Sequence, residues 1–184
     1  MHTKTWKLVY KEQNPEQVEA YKEILEDISP EKRVYVDESG FHAYYEREYG
    51  YAPRGEKVLG EISGMRFQRT NLVAGQIGGR TIAPMYYEWS TNAEIFEFWF
   101  EEKLMPELSA GEVVIMDNAR FHRERILRQI ASRYRVMVLF LPPYSPDYNP
   151  IERLWANMKR WLRKNMRNYD SFEDALEDAI DVYS

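Results

Sequence analysis

The sequence predicts a mixed α/β domain in which helices cover a central sheet. Three short segments rich in β-branched and aromatic residues come first. Two almost wholly apolar segments follow, separated by segments with helical periodicity. A chain of 184 residues with a hydrophobic fraction of 44% suits one compact domain. The sequence shows no internal repeat and no flexible linker that would divide it.

The first predicted elements are a helix and a strand. Asn14-Pro15 is a typical N-cap and first-turn pair, and apolar residues follow it at helical spacing. The run RVYVDESGF, Arg33 to Phe41, is closed by Ser-Gly and predicts a strand that ends near Asp37. We therefore divide the chain into a lead helix with a linker, residues 1–30, and a main domain, residues 31–184.

A hairpin and a second helix are predicted next. The segment IGGRT, Ile77 to Thr81, indicates a turn between strands at Thr70–Gln76 and Thr81–Tyr87. The segment GYAPRGEKV, Gly50 to Val58, reads as an irregular link before this hairpin. The capping-box spacing of Thr91-x-x-Glu94 then predicts a helix start.

The remaining elements alternate between buried strands and helices. The runs Glu112–Asp117 and Arg135–Leu141 are apolar in sequence and predict strands buried on both faces. Apolar residues at helical spacing predict helices within residues 126–134 and 151–162, and Ser171-x-x-Asp174 predicts the start of a last helix.

Composition excludes several classes of protein. The chain has no cysteine, so disulfides and thiolate metal sites are excluded, and a reducing cytosol is compatible with it. It has neither a run of eighteen apolar residues nor a signal-peptide core near its start. These observations give no indication of a membrane span or of secretion.

The net charge of -5 is distributed unevenly. Residues 119–168 carry 12 Lys and Arg against 3 acidic residues, whereas residues 1–118 carry 13 Lys and Arg against 21 acidic residues. A basic segment inside an acidic protein could follow a phosphate backbone. The alternative is a set of solvated arginine-rich helix faces.

Three carboxylates stand at predicted element ends. Asp37 and Asp117 follow predicted strands, and ligands of α/β sheets bind at the carboxyl ends of strands. Glu152 stands in the first turn of the helix that follows the proline-rich loop PPYSPDYNP. Hard oxygen ligands of this kind could hold a pair of Mg²⁺ or Mn²⁺ ions for phosphodiester chemistry.

Each carboxylate also has a purely structural interpretation. Asp117 or Asn118 could cap the helix that follows. Asn149 as N-cap, Pro150 in the first turn and Glu152 two residues later resemble a capping box, in which Glu152 only satisfies backbone donors. The coincidence of three acids at element ends favours a common site.

Three motifs, in order, resemble a known family. VYVDESGFH, VVIMDNARFH and LFLPPYSPDYNPIERLWANMK are similar to the bacterial insertion-sequence branch of the mariner-type DDE transposases. GYAPRG and TIAPM add to a similarity that covers about residues 30 to 165. The 34 residues between Asp117 and Glu152 match the spacing of that superfamily.

The resemblance implies a ribonuclease-H-like fold whose sheet has three antiparallel strands and then two parallel ones. It implies that Asp37, Asp117 and Glu152 are catalytic and coordinate two Mg²⁺ or Mn²⁺ ions. Hydrolysis at the transposon ends would free a 3′-hydroxyl that attacks target DNA, so the element would move by cut and paste. The implied partners are double-stranded DNA and further copies of the chain, as a dimer or larger assembly in the bacterial cytoplasm.

The sequence departs from the family pattern ahead of Asp37. Relatives carry helix-turn-helix DNA-binding domains there, and 36 residues are too few for one. We therefore expect residues 31–184 to be a DDE catalytic domain whose recognition domain is missing, with weak and salt-sensitive DNA binding.

Several basic residues are candidates for DNA contact. Arg153, Lys159, Arg160 and Arg163 fall on the flank of their helix that carries Glu152. The candidates are Arg120, His122, Arg153, Lys159, Arg160 and Arg163. His122 could alternatively be a surface helix residue without a role, and His42 is a weaker candidate. Trp155 and Trp161 lie on the apolar stripe and are interpreted as core.

Two other functions compete with a transposase. One is a free-standing nuclease of the same fold, which would cut strands without joining them. The other is a catalytically silent remnant or interaction module that binds DNA or a full-length transposase. Our hypothesis for the proline-rich loop is that its prolines fix the direction in which the helix of Glu152 begins.

Overall fold

The computed structural model describes residues 10–42 and 69–184. Within these ranges five strands form one sheet in the order β3-β2-β1-β4-β5. The strands are β1 Arg33–His42, β2 Arg69–Ile77, β3 Arg80–Tyr87, β4 Val113–Met116 and β5 Met137–Phe140. The first three are antiparallel, and β4 and β5 run parallel to β1. The predicted mixed sheet is confirmed, while the segment Gly50–Val58 lies outside the described residues.

Five α-helices accompany the sheet in these ranges. They are α1 Pro15–Glu26, α2 Ala93–Trp99, α3 Glu124–Arg133, α4 Ile151–Asn165 and α5 Phe172–Val182. A π-helical turn, Phe100–Leu104, and a 3₁₀ turn, Met105–Glu107, prolong α2. In the part of the chain that the structure describes, no helix has the length and hydrophobicity of a membrane span.

Helices pack on both faces of the sheet because the strand side chains alternate. Val34 and Val36 of β1 and their neighbours in β4 are buried against α2 and α3. Phe41 and Leu72 point to the opposite face and are buried against α4 and α5. Tyr21 of α1 packs on β4 and on the segment after β5. The division of the chain at residue 30 stays a prediction.

Two helix starts test the capping predictions. Asn14 caps α1 as predicted, since its Oδ1 accepts hydrogen bonds from Glu16 N at 2.9 Å and Gln17 N at 3.4 Å. The prediction of Thr91 as the cap of α2 is wrong by one residue. Asn92 is the cap and accepts from Ile95 N at 3.0 Å, while the Thr91 hydroxyl lies 2.6 Å from that of Tyr87.

The predicted end of β1 near Asp37 is also wrong. β1 pairs with β4 only as far as Tyr35, but its pairing with β2 continues to His42. Gly40 fits this extension, because a Cβ at that position would meet the guanidinium of Arg69. Asp37 therefore lies in the middle of a strand, just beyond the point at which β1 and β4 separate.

The last strand is shorter and more exposed than its sequence predicts. β5 begins at Met137, whose side chain is 58% exposed, because this strand is an edge of the sheet. Arg135 has φ 58 and belongs to the C-terminal cap of α3. There Val136 N donates to Ala131 O at 3.0 Å and Arg135 N donates to Ser132 O at 3.1 Å. This is the Schellman arrangement, whose left-handed residue is usually glycine.

We expect Arg135→Gly to stabilise the fold. The substitution removes a Cβ from left-handed backbone, which is unfavourable for residues with side chains by roughly 1–2 kcal/mol. The Arg135 side chain is exposed, so little is lost with it. Urea denaturation should show a gain of about 1 kcal/mol in the free energy of unfolding.

Gln129→Gly is the matched control for this substitution. Gln129 is exposed in the interior of α3, where glycine costs roughly 1 kcal/mol. A loss of stability in both variants would contradict the interpretation of Arg135 as a strained cap.

Candidate active site

Asp37 in β1 and Asp117, the residue that follows β4, lie at the same level of the sheet. The last parallel pair between β1 and β4 is Tyr35 with Ile115, so the register, continued by two residues, brings Asp37 level with Asp117. Parallel neighbours at one level point to the same face of a sheet. The two aspartates therefore face the gap that opens where the strands separate.

Glu152 lines the same cleft as the two aspartates. It stands in the first turn of α4. The cleft has a volume of about 390 Å³, and its other walls are Asn118, Asn149 and the segment 141–146. The structure thus brings together the three carboxylates that the sequence singled out, although they come from three different elements.

Asp37 is held from the α4 side of the sheet. Its Oδ2 accepts a hydrogen bond from Trp155 Nε1 at 2.9 Å. Burial and the neighbouring carboxylates of Glu38 and Glu152 raise the pKa of Asp37 to about 7. Trp155 is buried and packs on Phe41, as expected of a core residue. Its indole N–H also positions a candidate catalytic group, a role that the sequence analysis missed.

Neither Asp117 nor Asn118 caps the next helix, whose N-cap position is Arg123, so that alternative is wrong. α3 begins at Glu124, and the Oδ1 of Asp117 instead accepts from Ala119 N at 3.2 Å and lies 3.1 Å from Nδ1 of His122. The Asp117 side chain is 54% exposed. Its partial desolvation favours the neutral acid, but the hydrogen bond and charge of His122 outweigh this effect and lower the pKa of Asp117.

His122 is neither a helical nor a surface residue. Its side chain is 1% exposed and its ring lies 4.1 Å from that of Phe96, so it does not belong to the surface that DNA could contact. The ring joins Asp117 to Glu38, whose Oε1 lies 3.2 Å from Nε2. Burial alone would lower the pKa of His122, but hydrogen bonds to Asp117 and Glu38 raise it to about 9.

Glu38 is a second residue that the sequence analysis missed. Consecutive residues of a strand point to opposite faces, so Asp37 faces α4 while Glu38 faces α2 and α3. An acidic residue on a face otherwise formed by Val34 and Val36 was the available signal. Its partner His122 is 84 residues away in the chain, and no local pattern links the two.

The capping interpretation of Asn149 and Glu152 is wrong as well. Glu152 N donates to the backbone oxygen of Asn149 at 3.2 Å, and the residue at the N-cap position is Pro150, in helical conformation. The side chain of Asn149 turns to the sheet instead, where its Nδ2 donates to Val36 O at 3.3 Å. Glu152 is exposed and lines the cleft.

The proline-rich loop is fixed partly by the segment that precedes α1. Gln13 Nε2 donates to Ser145 Oγ at 2.8 Å and to Tyr144 O at 3.3 Å. Tyr144 itself has φ 56, and Pro146 begins a 3₁₀ turn ahead of α4. That the prolines set the start of α4 stays a hypothesis.

The predicted DNA-contacting residues have different environments. Arg120, Arg153, Arg160 and Arg163 are exposed, and His42 is exposed at the end of β1.

Lys159 is half-buried and is not a free surface cation. Its Nζ donates to Ser39 Oγ at 2.8 Å and lies 5.2 Å from the ring centre of Phe41. Burial lowers the pKa of Lys159, while the charge of Glu152 opposes this effect.

The carboxylate and amide groups that line the cleft have the chemistry of ligands for a hard divalent cation. Carboxylate and amide oxygens are the ligands that Mg²⁺ and Mn²⁺ prefer. Burial first, and then the carboxylates of Glu38 and Glu152, raise the pKa of Asp37, and a bound cation would offset both effects. In residues 10–42 and 69–184, no three His, Asp or Glu side chains are close enough to hold an ion by themselves.

We expect the His122 contacts to stabilise the fold below neutral pH. The pKa of His122 is about 9 in the folded protein against 6.5 for the free side chain, so protons bind more tightly to the folded state. The contribution is fully present below pH 6.5 and is lost as the pH rises through 9. It is on the order of 3 kcal/mol.

Urea denaturation of the wild type and of His122→Gln at several pH values measures this contribution. The difference between the two proteins should shrink between pH 6.5 and pH 9. His42→Gln, at an exposed position, is the matched control and should follow the wild type. A difference that does not vary with pH would refute the charged state of His122.

Comparison with known proteins identifies a family. A family model described as DDE superfamily endonuclease matches residues 32–175, well over half of the chain. An uncharacterized protein of Sinorhizobium fredii (strain NBRC 101917 / NGR234), y4pE/y4sA, is 33% identical over 63 residues. That segment is 33% of this chain and 44% of the relative.

Solved structures establish the fold. A pre-cleavage Mos1 transpososome has a TM-score of 0.74 and 21% identity over 100% of this chain and 59% of its own. The catalytic domain of Mos1 mariner transposase has a TM-score of 0.59 and 18% identity over 96% of this chain and 85% of its own. The predicted ribonuclease-H-like fold is thereby confirmed.

The extent of these matches determines what they identify. This chain spans less than two thirds of the curated relative and of the transpososome chain. The assignment to a bacterial insertion-sequence branch stays a prediction. Because the family model covers residues 32–175, the chain belongs to the DDE superfamily endonucleases.

Proposed function

We propose that this chain is the catalytic domain of a cut-and-paste DNA transposase. In this proposal it hydrolyses phosphodiesters at transposon ends with the help of two divalent cations and joins the freed 3′ ends to target DNA. The observation that carries the proposal is the common cleft of Asp37, Asp117 and Glu152, which come from two strands and a helix of the fold.

Structures of similar fold support the choice of substrate and ion. They include Mos1 transposase in a paired-end complex with the left transposon end, at a TM-score of 0.70, and paired-end complexes with Mn and with Mg. By analogy we propose double-stranded DNA as the substrate and Mg²⁺ or Mn²⁺ as the ion. Carboxylate oxygens at the cleft agree with that choice.

The carboxylates of the cleft and the residues around it have different tasks in this proposal. Asp37, Asp117 and Glu152 hold the cations. Bound divalent cations supply activation of the attacking oxygen and stabilisation of the leaving oxygen of a phosphodiester. Trp155 fixes one carboxyl oxygen of Asp37, and His122 orients Asp117 and keeps it ionised. The exposed arginines of α4 contact the phosphates beside the cleft.

Recognition and assembly are further parts of the proposal. Specific binding to transposon ends needs a DNA-binding domain outside residues 31–184, and joining two ends needs a dimer or a larger assembly. We propose that the protein acts in the cytoplasm on nucleoid DNA. The acidic charge of the whole chain agrees with a catalytic domain whose DNA affinity is supplied elsewhere.

Nicking of supercoiled plasmid in the presence of Mn²⁺ tests the chemistry. We expect Asp37→Asn, Asp117→Asn and Glu152→Gln each to reduce the rate at least about a hundredfold, since metal ions supply several kcal/mol of stabilisation to the transition state. Glu23→Gln, at an exposed position of α1, is the control and should nick like the wild type.

The same assay separates the competing functions. Cleavage that survives all three substitutions would reject the assigned site. Joining of an oligonucleotide with a free 3′ end to the plasmid distinguishes a transposase from a nuclease that only cuts. A wild type that binds duplex DNA without nicking it would favour the silent interaction module.

Salt dependence of DNA binding tests the phosphate contacts. Arg153 and Arg160 are exposed on α4, so we expect the double substitution Arg153→Gln and Arg160→Gln to weaken binding to a random duplex. The slope of log affinity against log salt should fall by about 2, because each phosphate contact contributes about 0.9. Fluorescence anisotropy measures both quantities.

The control for this experiment is Arg80→Gln. Arg80 is an exposed arginine at the β2–β3 turn, at the far edge of the sheet from β4. The slope of log affinity against log salt for Arg80→Gln should equal that of the wild type. An unchanged slope in the double variant would reject the proposed contacts between the arginines of α4 and DNA phosphates.

A further inference from the structure

Asn149 carries a buried oxygen whose role the proposed function leaves unexplained. The residue is 5% exposed, and its Oδ1 has no hydrogen-bond partner among the residues that the structure describes. The other end of the same amide is used, because Nδ2 donates to Val36 O at 3.3 Å. The side chain is therefore anchored at its nitrogen and unsatisfied at its oxygen.

An unsatisfied buried acceptor is unfavourable by roughly 1–3 kcal/mol. Capping would have satisfied it, since an asparagine before a helix normally accepts from a backbone N–H of the first turn. Here the Asn149 backbone oxygen, and not Oδ1, receives the hydrogen bond from Glu152 N. Neither the start of α4 nor the pairing of β1 accounts for this oxygen.

The position of Asn149 relates it to the three carboxylates. It lines the cleft together with Asp37, Asp117 and Glu152. It stands three residues before Glu152, and its amide nitrogen binds the carbonyl just before Asp37. An amide oxygen is a hard ligand that adds no negative charge to a cleft already crowded with acids.

We propose that Oδ1 of Asn149 is a further protein ligand of a divalent cation bound in this cleft, beside the carboxylates of Asp37, Asp117 and Glu152. This inference rests on the metal-dependent function proposed above. The hydrogen bond to Val36 holds the amide so that its oxygen, which no other described group uses, remains for the cation.

The probe is Mn²⁺ alone, without DNA. Calorimetry gives its affinity, and electron-nuclear double resonance counts the water molecules bound to it. We expect Asn149→Ala to lower the affinity at least about tenfold and to add one coordinated water in place of the amide oxygen. Asn149→Asp keeps an oxygen ligand and should bind Mn²⁺ at least as tightly as the wild type and with the same water count, although it loses the donor to Val36.

Asn165→Ala is the matched control. Asn165 also donates one amide hydrogen bond, to Trp161 O at 2.8 Å, but at the far end of α4. This variant should lose a hydrogen bond without any change in Mn²⁺ affinity. Urea denaturation of all variants separates loss of fold from loss of the ion.

The outcomes separate this inference from the proposed function. Binding that Asp117→Asn abolishes and Asn149→Ala leaves unchanged would overturn the role of Asn149 while the metal-dependent function stands. A weaker affinity with an unchanged water count, or a loss in Asn149→Asp equal to that in Asn149→Ala, would also overturn it, because Asn149 would then act only through Val36. No binding to the wild type would overturn both.

Discussion

The attachment of α4 to β1 is the constraint on which the cleft depends. Two hydrogen bonds link α4 to β1, and a third comes from Asn149, which stands two residues before the first residue of α4. They join Asn149 to Val36 O, Trp155 to Asp37, and Lys159 to Ser39. These contacts hold the carboxylates of β1 and α4 close together, whereas the like charges of the carboxylates repel each other.

Hydrophobic packing of α4 on the sheet offsets the repulsion between the carboxylates. The inner face of α4 is fully buried against the sheet and α5 through residues such as Leu154, Met158 and Leu162. Each buried side chain of this size contributes about 1.5–3 kcal/mol. Burial and, after it, the carboxylates of Glu38 and Glu152 oppose this packing by raising the pKa of Asp37 to about 7. The acids therefore stay together because the helix that carries one of them is held by its apolar side.

Local patterns predicted the elements because they report burial and backbone preference. The run VVIM predicted β4, and all four of its residues are buried between two layers of helices. The same reasoning failed at β5, because an apolar run does not reveal which strand is the edge. It also failed at Arg135, whose left-handed backbone shortens that strand.

The roles of His122 and Asn149 depend on contacts with residues that are distant in the sequence. The local sequence predicts a surface position for His122, but its ring lies within hydrogen-bond distance of Glu38, 84 residues earlier. The local sequence predicts a helix cap at Asn149, but its amide nitrogen donates to the backbone oxygen of Val36, 113 residues earlier. In both cases a short-range pattern offered an adequate role, and a long-range hydrogen bond to β1, which no local pattern encodes, replaced it.

The pleat of β1 explains why the two aspartates of the cleft are held from opposite layers. Asp37, Ser39 and Phe41 face α4, where they meet Trp155 and Lys159. Glu38 faces the other layer, where it holds His122, and His122 in turn holds Asp117.

A slip of one residue in the pairing of β1 with β2 would exchange these faces. Asp37 would enter the apolar layer of Phe96, and Glu38 would meet the indole of Trp155. Nine pairs with β2, and the burial of Val34 and Val36 on one face with Phe41 on the other, oppose that slip. The register of one antiparallel ladder thus fixes the orientation of both aspartates.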